Sequence, residues 1–384
     1  MGQEEERVAM LRLIRSTRVG VHTFWMLVRL HGTAQSALEA LPELARRGGA
    51  QKYKVCPLST AEEEWEQTLR LGGRFLFANE EDYPSLLKHI PDRPPVLTMM
   101  GEPSLLPAFQ KESVLAMVGA RNASLNGRQF AALLAKELGE RDFLVVSGLA
   151  RGIDTRVHEG SLPTGTCAVV AGGIDVIYPP ENTTLYASIK KQGILLTEMP
   201  LKTFPSAAFF PKRNRIIAGL SRGVVVVEAA LRSGSLITAH CALEYGREVF
   251  AVPGSPFDPR CRGTNSLLKN GATLVERVED ILQNLYSPPL AKEAKAMPEG
   301  TPGALEPVSE KLVQEAREQI LQLLSPSPTK LDLLIEALPH PLSAILTALV
   351  ELEVSGRIGY TAWRHVYLTV DLPEERPFHE ASSC

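Results

Sequence analysis

The amino-acid sequence predicts an α/β fold built around a mostly parallel sheet. Seven short apolar segments recur between residues 113 and 285, and several end at a turn-forming residue such as Gly119 or Pro253. Their continuous apolar character is typical of strands buried on both faces. Helix-length segments separate them, which favours parallel strands joined by helices on both sides, a doubly wound, Rossmann-like domain. The predicted strands are 113–118, 143–146, 165–170, 194–197, 224–227, 248–252 and 273–275.

Two further regions precede this domain. Apolar residues at helical spacing, such as Met10 and Ile14, predict a small helical domain over residues 1–70, of the SAM or helix-hairpin-helix kind. Its segment 18–32 lacks the Gly-x-Gly hairpin of a helix-hairpin-helix, so we assign no DNA binding to it. Residues 71–112 are rich in Pro, which blocks long helices, and are predicted to form an extended arm that packs on the core.

The C-terminal part predicts a linker and a second small domain. Residues 286–308 are rich in Pro, Ala and Gly, which is typical of a flexible linker. Three amphipathic helices and a hairpin over residues 309–371 indicate a winged-helix-like domain. Its third helix, within 341–356, contains no Lys or Arg, so we expect it to contact protein or to pack internally. Residues 372–384 are predicted to be disordered.

Composition narrows the functional classes. The chain has 384 residues, 44% of them hydrophobic, and a net charge of −3, which argues against indiscriminate nucleic-acid binding but allows a local basic groove. The five cysteines form no CxxC pair, so no metal site is expected and the thiols are expected to be reduced. The acidic N-terminus is not a signal peptide, and no apolar run approaches the ~20 residues of a membrane span. The expected compartment is the cytoplasm.

Four polar or glycine-bearing segments follow predicted strands, so they should gather at one edge of the sheet, where ligands bind in this fold class. Glycines allow close backbone approach, arginines grip phosphate oxygens, and helix N-termini attract anions. From Lys202 to Arg222 there are five basic residues and no acidic one. The predicted phosphate-holding residues are Gly119, Arg121, Asn122, Ser124, Ser147, Gly148, Arg151, Lys212, Arg213, Asn214, Arg215, Ser233, Gly234 and Ser235.

Missing motifs exclude the common nucleotide cofactors. No GxGxxG follows the first predicted strand, and the second ends in Ser147 rather than an acidic ribose ligand, so a dinucleotide cofactor is not expected. The chain also lacks GxxxxGK[ST], the phosphate loop of many ATPases. We therefore expect no cofactor.

A catalytic site is difficult to assemble. Ser147, Asp154 and His158 lie close in sequence and contain the residue types of a triad, but spacing alone cannot order them. The alternative is that Asp154 caps a helix and His158 is a hydrogen-bonded packing residue. Glu228, at the end of a strand, is either a base or ribose ligand, or it orients neighbouring groups.

Several strings together are similar to a known family. VGARNAS, VVSGLARGIDTRVHEG, AGGIDVIYPPEN, FFPKRNRIIAGLSRGVVVVEA and SGSLITAHCALEYGREVFAVPG occur in order, followed by GTNSLLKNGATLV. Over residues 81–285 they resemble the bacterial DNA-processing protein A family (DprA/Smf). The resemblance implies a single-stranded-DNA-binding domain that dimerises and loads the RecA recombinase, with roles in natural transformation and recombination. It implies no chemical reaction.

The resemblance also implies where the DNA pocket lies. The family's Gly-x-Arg loop corresponds to Gly119 and Arg121, and its basic loop to residues 212–215. Ala120 stands where the family often has Ser, so one hydroxyl is absent. Of the nearby aromatic residues, we expect Phe209, Phe210 or Tyr178 to stack a base. Self-association and recombinase contact are expected around Leu267, Leu268 and Leu274.

The main rival function is an enzyme. Phosphoribohydrolases similar to lysine decarboxylases also place Gly-rich loops at a sheet edge, with a PGGxGTxxE motif that carries a catalytic Glu. The comparable segment here is VEAALRSGSLITA, which lacks the double Gly and the following acid. A second rival is a structural adaptor whose winged-helix-like domain binds DNA.

Overall fold

The computed structural model describes residues 2–286, 308–361 and 365–369. Apart from its two end residues, the predicted linker 286–308 lies outside the described residues, as does the predicted tail 372–384. The chain forms two compact units. One comprises residues 57–300, and the other combines residues 1–56 with residues 301–384.

The elements are numbered in chain order. The helices are α1 (Gln3–Ile14), α2 (Val21–His31), α3 (Ala34–Arg47), α4 (Leu58–Arg70), α5 (Ser85–Lys88), α6 (Pro107–Gln110), α7 (Leu125–Gly139), α8 (Ile153–Ser161), α9 (Thr183–Gln192), α10 (Phe209–Leu220), α11 (Gly234–Glu244), α12 (Arg262–Lys269), α13 (Val278–Tyr286), α14 (Glu310–Leu323), α15 (Leu331–Glu336) and α16 (Leu342–Ser355). The strands are β1 (Gly73–Phe77), β2 (Val96–Gly101), β3 (Val114–Val118), β4 (Leu144–Ser147), β5 (Thr166–Val169), β6 (Ile194–Thr197), β7 (Gly223–Val226), β8 (Glu248–Ala251), β9 (Thr273–Leu274), β10 (Thr329–Lys330), β11 (Ile358–Tyr360) and β12 (His365–Leu368).

The central sheet confirms the predicted fold class. Its strand order is β1-β2-β6-β5-β4-β3-β7-β8-β9, and every pairing from β6 to β9 is parallel. All seven predicted strands are present. The chain moves outward in one direction from β3 to β6 and then returns to place β7 on the other side of β3. The carboxyl ends of β3 and β7 therefore flank the topological switch point, where this architecture opens a crevice.

Residues 71–112 contain two strands that the sequence analysis did not predict. Strand β2 pairs antiparallel with β6, and β1 pairs antiparallel with β2, so the region extends the sheet at one edge. On α4, the ring of Trp65 packs against Phe75 and Phe77 of β1, with centroids 5.0 and 5.7 Å apart. Because of this packing, α4 belongs to the sheet-containing unit, and the boundary between the units falls at residue 56 rather than near residue 70.

The second unit joins the two ends of the chain. Helices α14 to α16 and strands β10 to β12 form the winged-helix domain, and its third helix, α16, packs against α2 and α3. Arg317 donates hydrogen bonds to the Glu351 carboxylate and the Arg47 carbonyl, both at 2.7 Å. Gly48 lies so close to the backbone of Glu351 that a side chain there would collide with it. Within the described ranges, none of the helices combines the length and apolar character that a bilayer-spanning segment requires.

Candidate functional site

Two adjoining cavities open at the carboxyl edge of the parallel strands. The β5-side cavity, of about 610 Å³, is bounded by the segments that follow β4 and β5. The β7-side cavity, of about 870 Å³, is bounded by the segments after β3 and β7 and by α10. The residues common to both form a dividing wall: Arg121, Asn122, Ala150, Tyr178, Pro205, Phe210 and Arg213. The strand-end segments picked out from the sequence thus come together in space.

The dividing wall is built around the half-buried ring of Phe210. The Arg121 guanidinium carbon lies 4.9 Å from the ring centroid, and that of Arg213 lies 5.9 Å away. The ring of Tyr178 is tilted against Phe210 at 5.9 Å and remains 43% exposed. Guanidinium groups over an aromatic face attract its π electrons. The wall therefore presents positive charge and aromatic surface at the same place.

Arg213 is the most unusual group of the site. Its side chain is 5% exposed, yet Nε and Nη1 have no hydrogen-bond partner among the described residues. Burial lowers the pKa of Arg213 to about 10, while the neighbouring Asp154 opposes that shift, so the group remains a cation at neutral pH. Gly148 makes room for it, since a Cβ there would coincide with Nη1. Buried donors in proteins are almost always paired, so two unpaired nitrogens on one buried guanidinium are unusual. An anionic ligand could supply the missing acceptor.

Arg215 and Ser147 do not face the cavities. Arg215 is buried on the other side of α10, where it pairs with Glu198 and donates to the backbone carbonyl of Asp92. Burial of Arg215 lowers its pKa, but the carboxylates of Glu198 and Asp92 outweigh that effect and raise the pKa above its usual value. The hydroxyl of Ser147 donates to the Met117 carbonyl at 2.6 Å inside the sheet. The structure therefore separates both residues from the predicted phosphate site.

The rest of the basic cluster lies near the β7-side cavity. Lys212 is exposed, 5.9 Å from the ring of Phe209, and is not part of the lining of either cavity. Asn214 donates to the carbonyl of Gly234 at 3.2 Å and so connects α10 to the start of α11. The Ser233 hydroxyl caps α11 and lies 2.7 Å from that of Ser235. Asn214, Ser233 and Ser235 line the β7-side cavity beside the first turn of α11.

The loop after β3 is held by Glu228. The Ser124 hydroxyl caps α7 by accepting from the Gly127 amide at 2.9 Å, and the Ser124 amide donates to Glu228 at 2.9 Å. Glu228 is buried, so its carboxylate orients this loop. Gly119 is needed because a Cβ would press against Ile153. Asn122, on the same loop, is exposed and lines both cavities.

The loop after β4 contributes to the β5-side cavity. Arg151 forms a salt bridge of 2.7 Å with Glu181, and both side chains are more than half exposed. Gly152 has a φ of 82°, which favours glycine, and it directly precedes the first residue of α8. Because an exposed pair is weak, a phosphate can compete with Glu181 for Arg151.

The structure bears on the Ser–His–Asp relay that was considered from the sequence, because His158 has other partners. His158 Nε2 accepts from the Leu149 amide at 3.2 Å, and Nδ1 lies 2.8 Å from the Thr166 hydroxyl. Burial lowers the pKa of His158 to about 3, which keeps the imidazole neutral. Asp154, in the first turn of α8, accepts a hydrogen bond from the amide of Ala150 in the preceding loop. Asp154 and His158 thus serve as packing and loop-fixing residues.

Four arginines that line the cavities were not predicted from the sequence, and one of them, Arg156, pairs with Glu159 at 2.6 Å. Arg128, in the first turn of α7, lines the β5-side cavity, and its buried Nε lacks a partner in the part of the chain described. Arg232 and Arg260 line the β7-side cavity. A signal was present for Arg128 and Arg232, since one follows the Ser124 cap by four residues and the other directly precedes Ser233. Arg260 comes from a different loop, so only the fold brings it here.

The residues expected to mediate self-association differ in exposure. Leu267 is 8% exposed and packs within its own unit, and Leu268 is half-buried. Leu274, on the edge strand β9, is 46% exposed. The four cysteines in the described ranges are buried and form no disulfide, and no cluster of His, Cys, Asp or Glu suited to a metal ion occurs there.

Family comparisons cover three parts of the chain. Residues 74–286 match the family described as DNA recombination-mediator protein A. Residues 4–66 match the DprA-like N-terminal HHH domain, and residues 303–359 match the DprA winged helix domain. Similar proteins include Protein Smf of Escherichia coli K12, 39% identical over 76% of both chains. DNA processing protein DprA of Bacillus subtilis 168 is 46% identical over 54% of this chain and 69% of that protein.

Two solved structures share the architecture. DNA processing protein A from Streptococcus pneumoniae superposes with a TM-score of 0.60 at 32% identity, over 74% of this chain and 98% of that one. DNA processing protein A from Helicobacter pylori gives a TM-score of 0.51 at 29% identity, over 56% and 95% of the two chains. The second structure concerns the single-stranded DNA binding mode of the Helicobacter protein.

Proposed function

Because the chain belongs to the DNA recombination-mediator protein A family, we propose that it binds single-stranded DNA and loads the RecA recombinase onto it. The strand lies along the two cavities at the sheet edge. This activity serves homologous recombination and natural transformation in the cytoplasm. The support comes from the family, from the single-stranded DNA binding of the Helicobacter relative, and from the chemistry of the dividing wall.

The observation that carries the proposal is Arg213. A guanidinium buried without an acceptor costs free energy, and a phosphate oxygen removes that cost by accepting from Nε and Nη1. Arg121 stands beside it on the same ring and is exposed, so it is free to contact a neighbouring phosphate. A pair of adjacent cationic positions suits a polymer of phosphates.

A strand fits the wall better than a duplex does. Non-specific single-strand binders combine a cationic groove with aromatic surfaces on which bases stack. Phe210 lines both cavities, and the exposed edge of Tyr178 adjoins it. In a duplex the bases are already stacked on each other and cannot stack on these aromatic rings. Contacts of this kind give little sequence preference and a strong dependence on salt.

Binding without cleavage is part of the proposal. Glu228, the carboxylate considered as a base, already accepts from the Ser124 amide and hydroxyl. His158 is neutral and bonded inside the core. These engagements support a holding role. Release of free base from nucleoside monophosphates would instead favour the rival phosphoribohydrolase.

We propose that self-association uses the sheet edge formed by β9. An edge strand offers unpaired backbone groups, and Leu274 adds exposed apolar surface there. We propose that RecA also binds in this region, since a mediator must bring the DNA strand and the recombinase together.

The experiment compares wild-type protein with Gly148→Ala, whose Cβ displaces the Arg213 guanidinium. Anisotropy of a labelled thymidine oligonucleotide should show about tenfold weaker binding for the variant, the loss of one charged contact. Gly20→Ala is the control, because its Cβ meets nothing within 4 Å, its φ is −86° and it lines neither cavity. Equal affinity of both variants and wild type would reject the site.

The same proteins are then assayed for RecA filament formation on DNA coated with single-strand-binding protein. Wild type should accelerate filament formation, and Gly148→Ala should do so only weakly. Tight strand binding without acceleration would refute loading while leaving strand binding intact.

A further inference from the structure

Helix α16 of the winged-helix domain is enclosed on two sides. One side packs on α14 of its own domain, and the other packs on α2 and α3 from the start of the chain. Ten of its fourteen residues are buried. In related DNA-binding folds the helix at this position enters the major groove, but here α2 and α3 cover it. The interface between α16 and these two helices therefore joins the two ends of the chain.

Polar contacts cross this interface. Arg18, in the turn before α2, donates to the carbonyl of Ser355 at 3.2 Å. The hydroxyl of Thr23, on α2, donates to the carboxyl group of Glu353 on α16. Interfaces between domains that can separate are more polar than permanent ones. These contacts are thus typical of two domains that dock on each other.

Glu353 is the least compensated group of this interface. Within the described ranges it has no ion pair, and its hydrogen bond comes from the neutral hydroxyl of Thr23. Burial raises the pKa of Glu353 to about 8, although the hydrogen bond from Thr23 acts in the opposite direction. An ionised carboxylate held between packed helices without a cation costs free energy, whereas the neutral acid is tolerated there.

The other titratable groups at this part of the interface do not neutralise Glu353. They are Arg18 before α2, His22 on α2, Tyr53 after α3, Glu351 on α16 and Arg317 on α14. Arg317 is bound to Glu351 at 2.7 Å, and Arg18 donates to a backbone carbonyl. Burial, and secondly the charge of Glu353, raise the pKa of Tyr53, so its phenol stays neutral.

We propose that Glu353 is a proton-dependent latch between the N-terminal helices and the winged-helix domain. While the carboxyl group carries its proton, α2 and α3 stay docked on α16; when the proton passes to solvent, the unpaired charge favours their separation. In the undocked state Glu353 returns to its ordinary pKa of 4.5, so docking weakens as the pH rises from about 4.5 to about 8. The latch acts within the unit formed by the chain ends and is independent of strand binding.

The test is hydrogen exchange of the full chain, measured by mass spectrometry and corrected for the intrinsic exchange rate at each pH. Between about pH 6 and about pH 8.5, protection of α2 and α16 in wild type should fall at least about tenfold, because docking and proton binding are linked. Glu353→Gln keeps an acceptor for Thr23 without a charge and should show no such fall. Glu336→Gln, which removes an exposed carboxylate of α15, is the control and should behave like wild type.

A second variant tests the hydrogen bond. Because the Thr23 hydroxyl lowers the pKa of Glu353, Thr23→Val should raise the pH at which the loss of protection levels off. An equal fall in wild type and Glu353→Gln overturns the inference, as does constant protection in wild type. Helix α7, in the sheet-containing unit, is the internal reference. If its protection falls to the same degree, the chain opens as a whole and the latch is refuted.

Discussion

Arg213 and Arg215 lie two residues apart on α10, and both are buried, yet their surroundings are opposite. Arg215 meets the carboxylates of Glu198 and Asp92, whereas two nitrogens of Arg213 meet no acceptor among the described residues. Two residues correspond to about 200° around a helix, so the side chains lie on opposite faces. The pKa of Arg215 is raised and that of Arg213 is lowered to about 10. One short basic motif thus supplies both a structural ion pair and a candidate ligand group.

Burial of a charge does not by itself indicate a function. What distinguishes the two arginines is whether the fold supplies the acceptor. Where it does, the charge holds elements together: Arg215 links α10 to the end of β6 and to the loop before β2. Where it does not, as at Nε and Nη1 of Arg213, we propose that a ligand supplies the acceptor. Gly148 keeps the space beside Arg213 open for that purpose.

The largest expected effect belongs to the paired arginine. Arg215→Ala leaves Glu198 and Asp92 without their cation in a buried setting, and breaking such a pair costs about 3–5 kcal/mol. We expect urea denaturation to show that loss in the free energy of unfolding. Lys212→Ala is the matched control, because this exposed neighbour makes no ion pair within the described residues, and it should change stability by less than about 0.5 kcal/mol. A fully stable Arg215→Ala protein would contradict the assignment of a structural role.

A smaller effect extends the comparison to the unit formed by the chain ends. Glu353 of α16 accepts from the Thr23 hydroxyl, and burial raises its pKa to about 8. In this case burial stabilises the protonated, neutral form of the carboxyl group. The folded state keeps that proton while the unfolded state releases it near pH 4.5, so stability falls as the pH rises from about 4.5 to about 8.

Glu353→Gln should remove this pH dependence, since the amide also accepts from Thr23 and carries no charge. We expect the variant to be more stable by about 1 kcal/mol at pH 8 and equal to wild type near pH 4; the half-buried side chain keeps the gain below the full value of ~1.4 kcal/mol per pKa unit. Thermal denaturation at both pH values measures it. Parallel stability curves for the two proteins would show that Glu353 titrates normally.

The sequence was sufficient for the parallel core because its strands are short, apolar throughout and separated by helices. It was not sufficient for β1 and β2, because the surrounding prolines masked the run from Val96 to Met100. The antiparallel edge depends on pairing with β6, which lies almost 100 residues further along the chain. Long-range pairing of this kind leaves no local periodic signal.

The candidate site was predictable to a similar degree. Segments that follow parallel strands meet at one edge, and for this reason Gly119, Arg121, Gly148 and Ser235 line two adjoining cavities. The sequence could not separate the cavity-lining Arg213 from the structural Arg215. One partner of Arg215, Asp92, is 123 residues away in sequence. The role of each arginine is therefore decided by tertiary contacts.

We propose that Arg213 binds a phosphate of the DNA strand. The most direct test is the affinity of Arg213→Gln for a thymidine oligonucleotide, measured together with the melting temperature of the variant. Loss of a charged contact predicts binding about 10–100-fold weaker, with a shallower salt dependence. A melting temperature close to that of wild type shows that the variant is folded, although it removes the cation beside the buried Asp154. Wild-type affinity in a folded Arg213→Gln protein would contradict the account.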